Sequence, residues 1–274
     1  MTFEVSTWGA RGSVTVGKSE PSVVGENTTS IMVRSCDRII IIDAGSGIVP
    51  LGEYLLAQNV RQIDLLFTHF HFDHISGLPF FAPLMNPEFK TTIWSAGSEK
   101  HGSTLDVLRA FLSRPFFPIS MDIFKNTTSY ETFSNGDVLS MGERVSVQTA
   151  AVNHPGGCTA YRVNNNDGKS FAFTGDFEHD NGEKDAALTD FLSGAGLVYA
   201  DSTYTPHDYE QHRGFGHTHW GKAGEICEAA NVKNWRLFHH MYSRSDAELL
   251  QIEQDAKAHF PNSGLAREGD VFKL

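Results

Sequence analysis

The chain has 274 residues, which suits one large α/β domain or two small ones, and 40% of them are hydrophobic, ample for a sizeable core. Its formal net charge of −11 argues against a non-specific nucleic-acid binder, which needs clustered Lys and Arg. It does not exclude a small phosphate ester, because bound dications reverse the local field.

The start, Met1 to Ser6, lacks a basic segment followed by an apolar core, so no signal peptide is expected. No apolar run approaches the ~20 residues that span a bilayer. The 3 cysteines, Cys36, Cys158 and Cys227, are far apart and odd in number. They form no CxxC pair or disulfide framework, so a reducing, cytoplasmic setting is expected.

Taken in chain order, strand-like runs cover residues 3–8, 31–34 and 38–42, the last continuous and β-branched as in a strand covered on both faces. Asp43-Ala44-Gly45-Ser46-Gly47 then turns the chain into a helix ending near Gln58. Its glycines read as turn-makers; without a Lys it is no phosphate-cradling loop. A strand over 63–67 runs into Thr68-His69-Phe70-His71-Phe72-Asp73-His74, and a short helix over 75–81 follows.

That histidine-rich segment carries the strongest chemical signal. Three imidazoles and a carboxylate at a strand end suit a pair of borderline divalent ions. His69 and His71, two apart on an extended segment, point to one side and can grip one ion; Asp73 and His74, as the chain turns, can reach a second.

Residues 86–135 break the rhythm with a Phe- and Pro-rich stretch, Arg114-Pro115-Phe116-Phe117-Pro118, and one helical segment over 104–112. An insertion here would form a lid or pocket wall beside the ions, or a hydrophobic subcore or dimer contact. Beyond it, 144–152 leads to His154, 160–163 and 170–174 resemble a hairpin around Asn166-Asp167-Gly168, and 197–200 leads to Asp201. A helix over 221–230 precedes a strand over 235–238 that ends at His239, and a helix over 246–259 follows. Strand ends carrying His or Asp recur, as in α/β enzymes that gather ligands on one rim. His101, His179, His207, His212 and His259 have no such context.

His69-Phe70-His71-Phe72-Asp73-His74 resembles the HxHxDH signature of metallo-β-lactamase-fold hydrolases. The wider context resembles their small phosphodiesterases, the phosphoribosyl cyclic and cyclic-nucleotide phosphodiesterases. Gly9-Ala10-Arg11-Gly12-Ser13, Asn27-Thr28-Thr29-Ser30, Gly77-Leu78-Pro79-Phe80-Phe81, Thr174-Gly175-Asp176 and Phe238-His239-His240 occur in the matching order, from about residue 5 to 255. The resemblance implies one domain over 1–274, a four-layer αββα sandwich with the metal site at one edge of the sheets, and an insertion at about 86–135.

It also implies two divalent ions, Zn²⁺ before Mn²⁺, with His154 as third ligand of the first and Asp176 bridging both. His239 is favoured over the adjacent His240 as last ligand, since neighbours on a strand face opposite sides. Asp73 would bind metal and orient the nucleophile, and His217 would contact the scissile phosphate and assist the leaving group. Asp201 is either a carboxylate behind a metal-bound histidine or a turn residue. Asn27, Ser30, His219 and His240 are candidate substrate contacts.

The expected reaction is hydrolysis of a phosphodiester, a small cyclic phosphate or cyclic nucleotide, by metal-activated water. No DNA, RNA or membrane partner is expected; a homodimer is compatible with the sequence. The alternatives are a hydrolase of lactones or other carbonyl substrates, which would not need His217, and a non-catalytic metal-binding partner of the same fold.

Overall fold

The computed structural model describes residues 2–17, 22–97, 102–124 and 128–274; His101 lies outside them. Strands β1 (Phe3–Gly9), β2 (Ser30–Ser35), β3 (Arg38–Ile42), β4 (Gln62–Phe67), β5 (Lys90–Ala96), β6 (Thr128–Phe133) and β13 (Val271–Lys273) form a seven-stranded sheet in the order β13-β1-β2-β3-β4-β5-β6. The second sheet, six-stranded, runs β12-β11-β10-β9-β8-β7. Its strands are β7 (Val138–Ser140), β8 (Val145–Val152), β9 (Cys158–Asn165), β10 (Ser170–Phe173), β11 (Leu197–Asp201) and β12 (Trp235–Phe238). Helices α1 (Ile48–Leu56), α2 (Phe72–Ile75) and α3 (Thr104–Phe111) belong to the first half. The second half holds α4 (Glu183–Leu192), α5 (Pro206–Tyr209), α6 (Trp220–Ala229) and α7 (Asp246–His259).

Side-chain alternation builds four layers. Along β3, Ile40 and Ile42 enter a core shared with Val147, Val163 and Phe173 of the second sheet, while Ile39 and Ile41 pack outward with Leu51 and Leu55 of α1. On β11, Leu197 and Tyr199 face the shared core, and Val198 and Ala200 meet Leu188 of α4, Ile226 of α6 and Leu249 of α7. This is an αββα sandwich. The Tyr161 hydroxyl, donating to the Phe67 carbonyl at 2.6 Å, ties the second sheet to the end of β4, where the histidine-rich segment begins.

Parallel pairing sets the position of the site. β3 and β4 are parallel, as are β10 with β11 and β11 with β12. β8 and β10 both pair antiparallel to β9 and so run the same way. The carboxyl ends of these strands therefore meet on one rim.

Two departures from the sequence reading concern this rim. The expected helix over 75–81 is split, because the Gly77 N–H turns away to the Ala44 carbonyl at 2.9 Å. The chain continues as α2 and a 3-10 turn, Leu78–Phe80, with proline in its first turn. Residues 86–135 also extend the sheet, β5 and β6 adding in parallel beyond β4. Phe111, Phe117 and Phe124 pack into the outer core, and Phe116 is 83% exposed. Phe117 thus packs on its own sheet, while Phe116 projects from it.

Helix α7 is tied to the segment that positions β12. The buried Glu253 carboxylate accepts from the Leu265 N–H (3.1 Å) and from Arg267 (2.6 Å), and Leu265 bridges Leu237 of β12. Burial opposes the charge, but Arg267, Lys257 and the Leu265 amide outweigh it and hold the pKa down at about 2. A lowered folded-state pKa stabilises fully above the ordinary carboxylate value and less as pH falls toward 2. Glu253→Gln is therefore expected to cost about 1–2 kcal/mol at pH 7. The difference from the parent should shrink between pH 4.5 and pH 2, read by urea unfolding of both proteins at each pH.

Candidate metal centre

Four strands, β4, β8, β10 and β12, deliver side chains to the rim from the residues past their ends. Two clusters result: His69, His71 and His154, and Asp73, His74, Asp176 and His239. Within each, the candidate ligand atoms lie within 4.8 Å of one another. Asp176 sits between them. Its Oδ2 is 3.6 Å from His69 Nε2, 3.2 Å from His74 Nε2 and 3.3 Å from His239 Nε2.

Most of these imidazoles are turned by a partner on the far nitrogen. His74 Nδ1 bonds Asp43 Oδ2 at 2.8 Å, and His154 Nδ1 bonds the Gly216 carbonyl at 2.8 Å. Thr68 Oγ1 donates to Asp43 at 2.8 Å and so accepts from His69 Nδ1 at 3.0 Å. Thr203 Oγ1 donates to Asp201 at 2.8 Å and accepts from His239 Nδ1 at 2.9 Å. With Nδ1 occupied, each Nε2 lone pair is aimed at the clusters, the arrangement that prepares a histidine for a metal.

The residues fit a divalent cation. His69 Nε2, His74 Nε2 and Asp176 Oδ1 are buried without a hydrogen-bond partner. Leaving such groups unmatched costs about 1–3 kcal/mol each, and a cation at each cluster would satisfy them. Burial pushes His69, His71 and His154 below the ordinary histidine pKa, keeping their rings neutral. Burial also opposes charge on Asp73 and Asp176, but the surrounding imidazoles hold both carboxyls well below the usual range. Burial opposes charge on His74, but Asp176, Asp73 and Asp43 raise its pKa well above the ordinary value, so a cation bound there would displace its proton. Three nitrogens in one set and mixed nitrogen and oxygen in the other suit Zn²⁺ or a similar borderline ion.

His217 stands against the second cluster, its ring stacked on His239 at 4.6 Å and its Nδ1 2.8 Å from Asp201 Oδ2. Burial disfavours its charge, but Asp201, Asp176 and Asp73 prevail and raise its pKa to about 9. Asp201 acts on two histidines, directly on His217 and through Thr203 on His239.

Four expected substrate contacts are placed elsewhere. Asn27 is tied at both ends, its amide donating to Glu268 at 3.0 Å and its carbonyl accepting from Ser46 at 2.9 Å. Ser30 is fully buried in β2. His219 caps α6, accepting from the Lys222 N–H at 3.2 Å. His240 is buried with Nε2 2.9 Å from the Ala266 carbonyl, because the strand stops at Phe238 and the left-handed backbone of His239 (φ 59°) redirects the chain.

The sequence reading passed over Asp43 as part of a turn. It is fully buried behind His74 and follows an apolar strand, the pattern that marked the other rim residues. The Gly12-Ser13 turn, part of a motif the sequence marked, sits at the same rim: the Ser13 N–H donates to Asp73 Oδ2 at 2.7 Å, and Gly12 is tightly seated. A Cβ on Gly12 would lie 2.2 Å from His239 Cε1. Gly12→Ala is therefore expected to displace that ring and weaken divalent-ion binding about 10–100-fold, the size seen when a ligand's support is lost. Chelator competition on the folded variant measures it.

A cavity of about 560 Å³ opens beside the first cluster, lined by His69, His71, Phe70, Asn135, Val107 and Thr159 among others. Val107 and neighbouring residues of β5 and α3 form one wall of it.

Residues 38–240 match the family described as the β-lactamase superfamily domain. The chain belongs to that superfamily. It shares its fold with YhfI, a metallo-β-lactamase fold protein from Bacillus subtilis. The TM-score is 0.77 at 18% identity, covering 100% of this chain and 99% of that one. A diphosphatase of the PhnP family superposes with a TM-score of 0.69 at 18% identity, over 99% and 98% of the two chains. Ribonuclease Z of Clostridium kluyveri is 42% identical over 64 residues, 23% of this chain. The chain spans 20% of the length of that curated relative. Within that superfamily fold the chain carries His and Asp clusters that could hold metal ions.

Proposed function

We propose that the protein hydrolyses a small phosphodiester, a cyclic phosphate or cyclic nucleotide, with two divalent ions, Zn²⁺ before Mn²⁺. The observation that carries this reading is the His217–Asp201 pair against the second cluster, 2.8 Å apart. An imidazolium so held can give a proton to the alkoxide that departs from a phosphodiester.

His69, His71 and His154 would hold one ion, and Asp73, His74 and His239 the other, with Asp176 shared. Ions so held supply positive charge against the phosphoryl oxygens and reactive hydroxide near neutral pH. Asp73, fixed by the Ser13 N–H at 2.7 Å, would bind the second ion and orient the attacking hydroxide. His217, its Nδ1–H bound by Asp201, presents Nε2–H to the leaving oxygen and stabilises its charge.

The cavity is of ligand size and, among its described lining residues, carries no Lys or Arg. With the net charge of −11, this favours a substrate with one phosphoryl group over a polyanion. Cys158 and Cys227 are buried free thiols. No helix of the described residues is long and apolar enough to cross a membrane.

The test is a screen of zinc- and manganese-loaded protein on cyclic nucleotides, ribose cyclic phosphates and bis(p-nitrophenyl) phosphate, beside an RNA oligonucleotide, a lactone and a β-lactam. Cleavage of a small diester is expected. Preference for the RNA would favour the reading that the ribonuclease Z stretch supports. Turnover of the carbonyl compounds alone would overturn the phosphodiester reading.

A further inference from the structure

We infer that Glu178 is a positioning residue that fixes His154 and His217 together through one loop. Its carboxylate receives two backbone amides of the segment before His217. Gly214 N–H donates to Oε1 at 2.7 Å and Gly216 N–H to Oε2 at 3.0 Å. The Gly216 carbonyl in turn accepts from His154 Nδ1 at 2.8 Å. One carboxylate thus sets the carbonyl that orients a ligand of the first cluster and the chain entering His217.

The same residue holds the other approach to His154. Glu178 N–H donates to the Asn153 carbonyl at 2.7 Å, and the Asn153 amide donates back to the Glu178 carbonyl at 2.8 Å. The loop leaves no slack: a Cβ on Gly216 would lie 2.4 Å from Pro155 Cδ and 2.6 Å from His154 Nδ1. Charge-assisted bonds from a carboxylate to backbone amides are among the stronger hydrogen bonds, so this brace resists displacement of the loop. Glu178 touches neither cluster; it acts through Gly216.

This rests on the two-ion reading of the site, and the experiment separates the two. The unsubstituted protein, Glu178→Ala and Glu178→Gln are titrated with Zn²⁺ against a chromophoric chelator, with folding checked by circular dichroism. The unsubstituted protein is expected to bind two equivalents. Glu178→Ala is expected to weaken one of them about 10–100-fold and leave the other tight, since only the first cluster contains His154. Glu178→Gln retains one acceptor oxygen but sets an NH₂ against the second amide, so the same equivalent weakens by less. At saturating Zn²⁺ both variants lower kcat with little change in KM, because His217 is also displaced. Tyr209→Phe removes the hydroxyl that donates to Oε1 at 3.1 Å while sparing both loop amides, and should keep both equivalents tight.

Two tight equivalents and unchanged kcat in the folded alanine variant would overturn the role of Glu178 and leave the two-ion reading standing. If the alanine variant does not fold, the glutamine variant decides by the same readout. An unsubstituted protein that binds no Zn²⁺ would overturn both.

Discussion

Asp176→Asn is expected to strip the protein of at least one metal ion and to reduce hydrolysis about 10³-fold or more. The substitution keeps the volume of a side chain that is 1% exposed, so it tests charge and ligation rather than packing. The Asp176 carboxylate is within 3.6 Å of His69 and 3.2 Å of His74, one histidine from each cluster. An amide offers one neutral oxygen in place of a charged pair, and its NH₂ would face imidazole nitrogens or the cations themselves. Lewis-acid stabilisation of the reacting phosphoryl group contributes several kcal/mol, and each 1.36 kcal/mol is tenfold in rate. Metal analysis after dialysis against a weak chelator, paired with diester turnover, reads both effects. Full metal content with unchanged turnover would remove Asp176 from the site.

The rim was readable in the sequence wherever a ligand followed an apolar strand. His69 to His74 follow β4, Asp176 follows β10 and His239 follows β12, and each strand is a continuous buried run that ends where the chain must turn. The same rule points to Asp43 after β3, and only its apparent role as a turn former concealed it. The specific contacts of Gly12 and Ser13, within a motif the sequence did mark, and the role of Glu178 were out of reach for a different reason. They act through backbone atoms and empty space, and neither an N–H on Asp73 nor room for the His239 ring leaves a pattern in residue types.

The candidate substrate contacts are engaged within the chain. Asn27 and His219 are polar residues in loops at the right distance along the chain, yet their side chains are consumed locally, by Glu268 and Ser46 for one and by a helix cap for the other. β5 went unseen because two of its three buried positions, Thr91 and Ser95, are polar, and β6 because Phe133 is its one buried position. The Lys90–Ala96 strand shows a half-buried pattern that reads as irregular beside a Phe-rich loop. Its placement next to β4 makes this segment a wall of the cavity and part of the frame that supports the site.

His217→Ala is expected to lower diester turnover about 10²–10⁴-fold, the range of a lost general acid, while both ions stay bound. The geometry separates these effects. His217 Nδ1 is taken by Asp201 at 2.8 Å, and its ring stacks on His239 without being needed to orient it, since Thr203 already holds His239 Nδ1 at 2.9 Å. The loss should also depend on the leaving group. An alkoxide leaves poorly unless protonated, so an alkyl or ribosyl diester should suffer the full reduction. A p-nitrophenolate leaves without help, and bis(p-nitrophenyl) phosphate should lose much less. Asp201→Asn should show the same dependence in weaker form, because an amide holds the ring less firmly and no longer supports its charge. Kinetics of both variants on the two substrate types, with metal content measured alongside, give the comparison. An equal loss on both would mean that His217 positions the phosphoryl group and transfers no proton, and a loss of metal would make it a ligand.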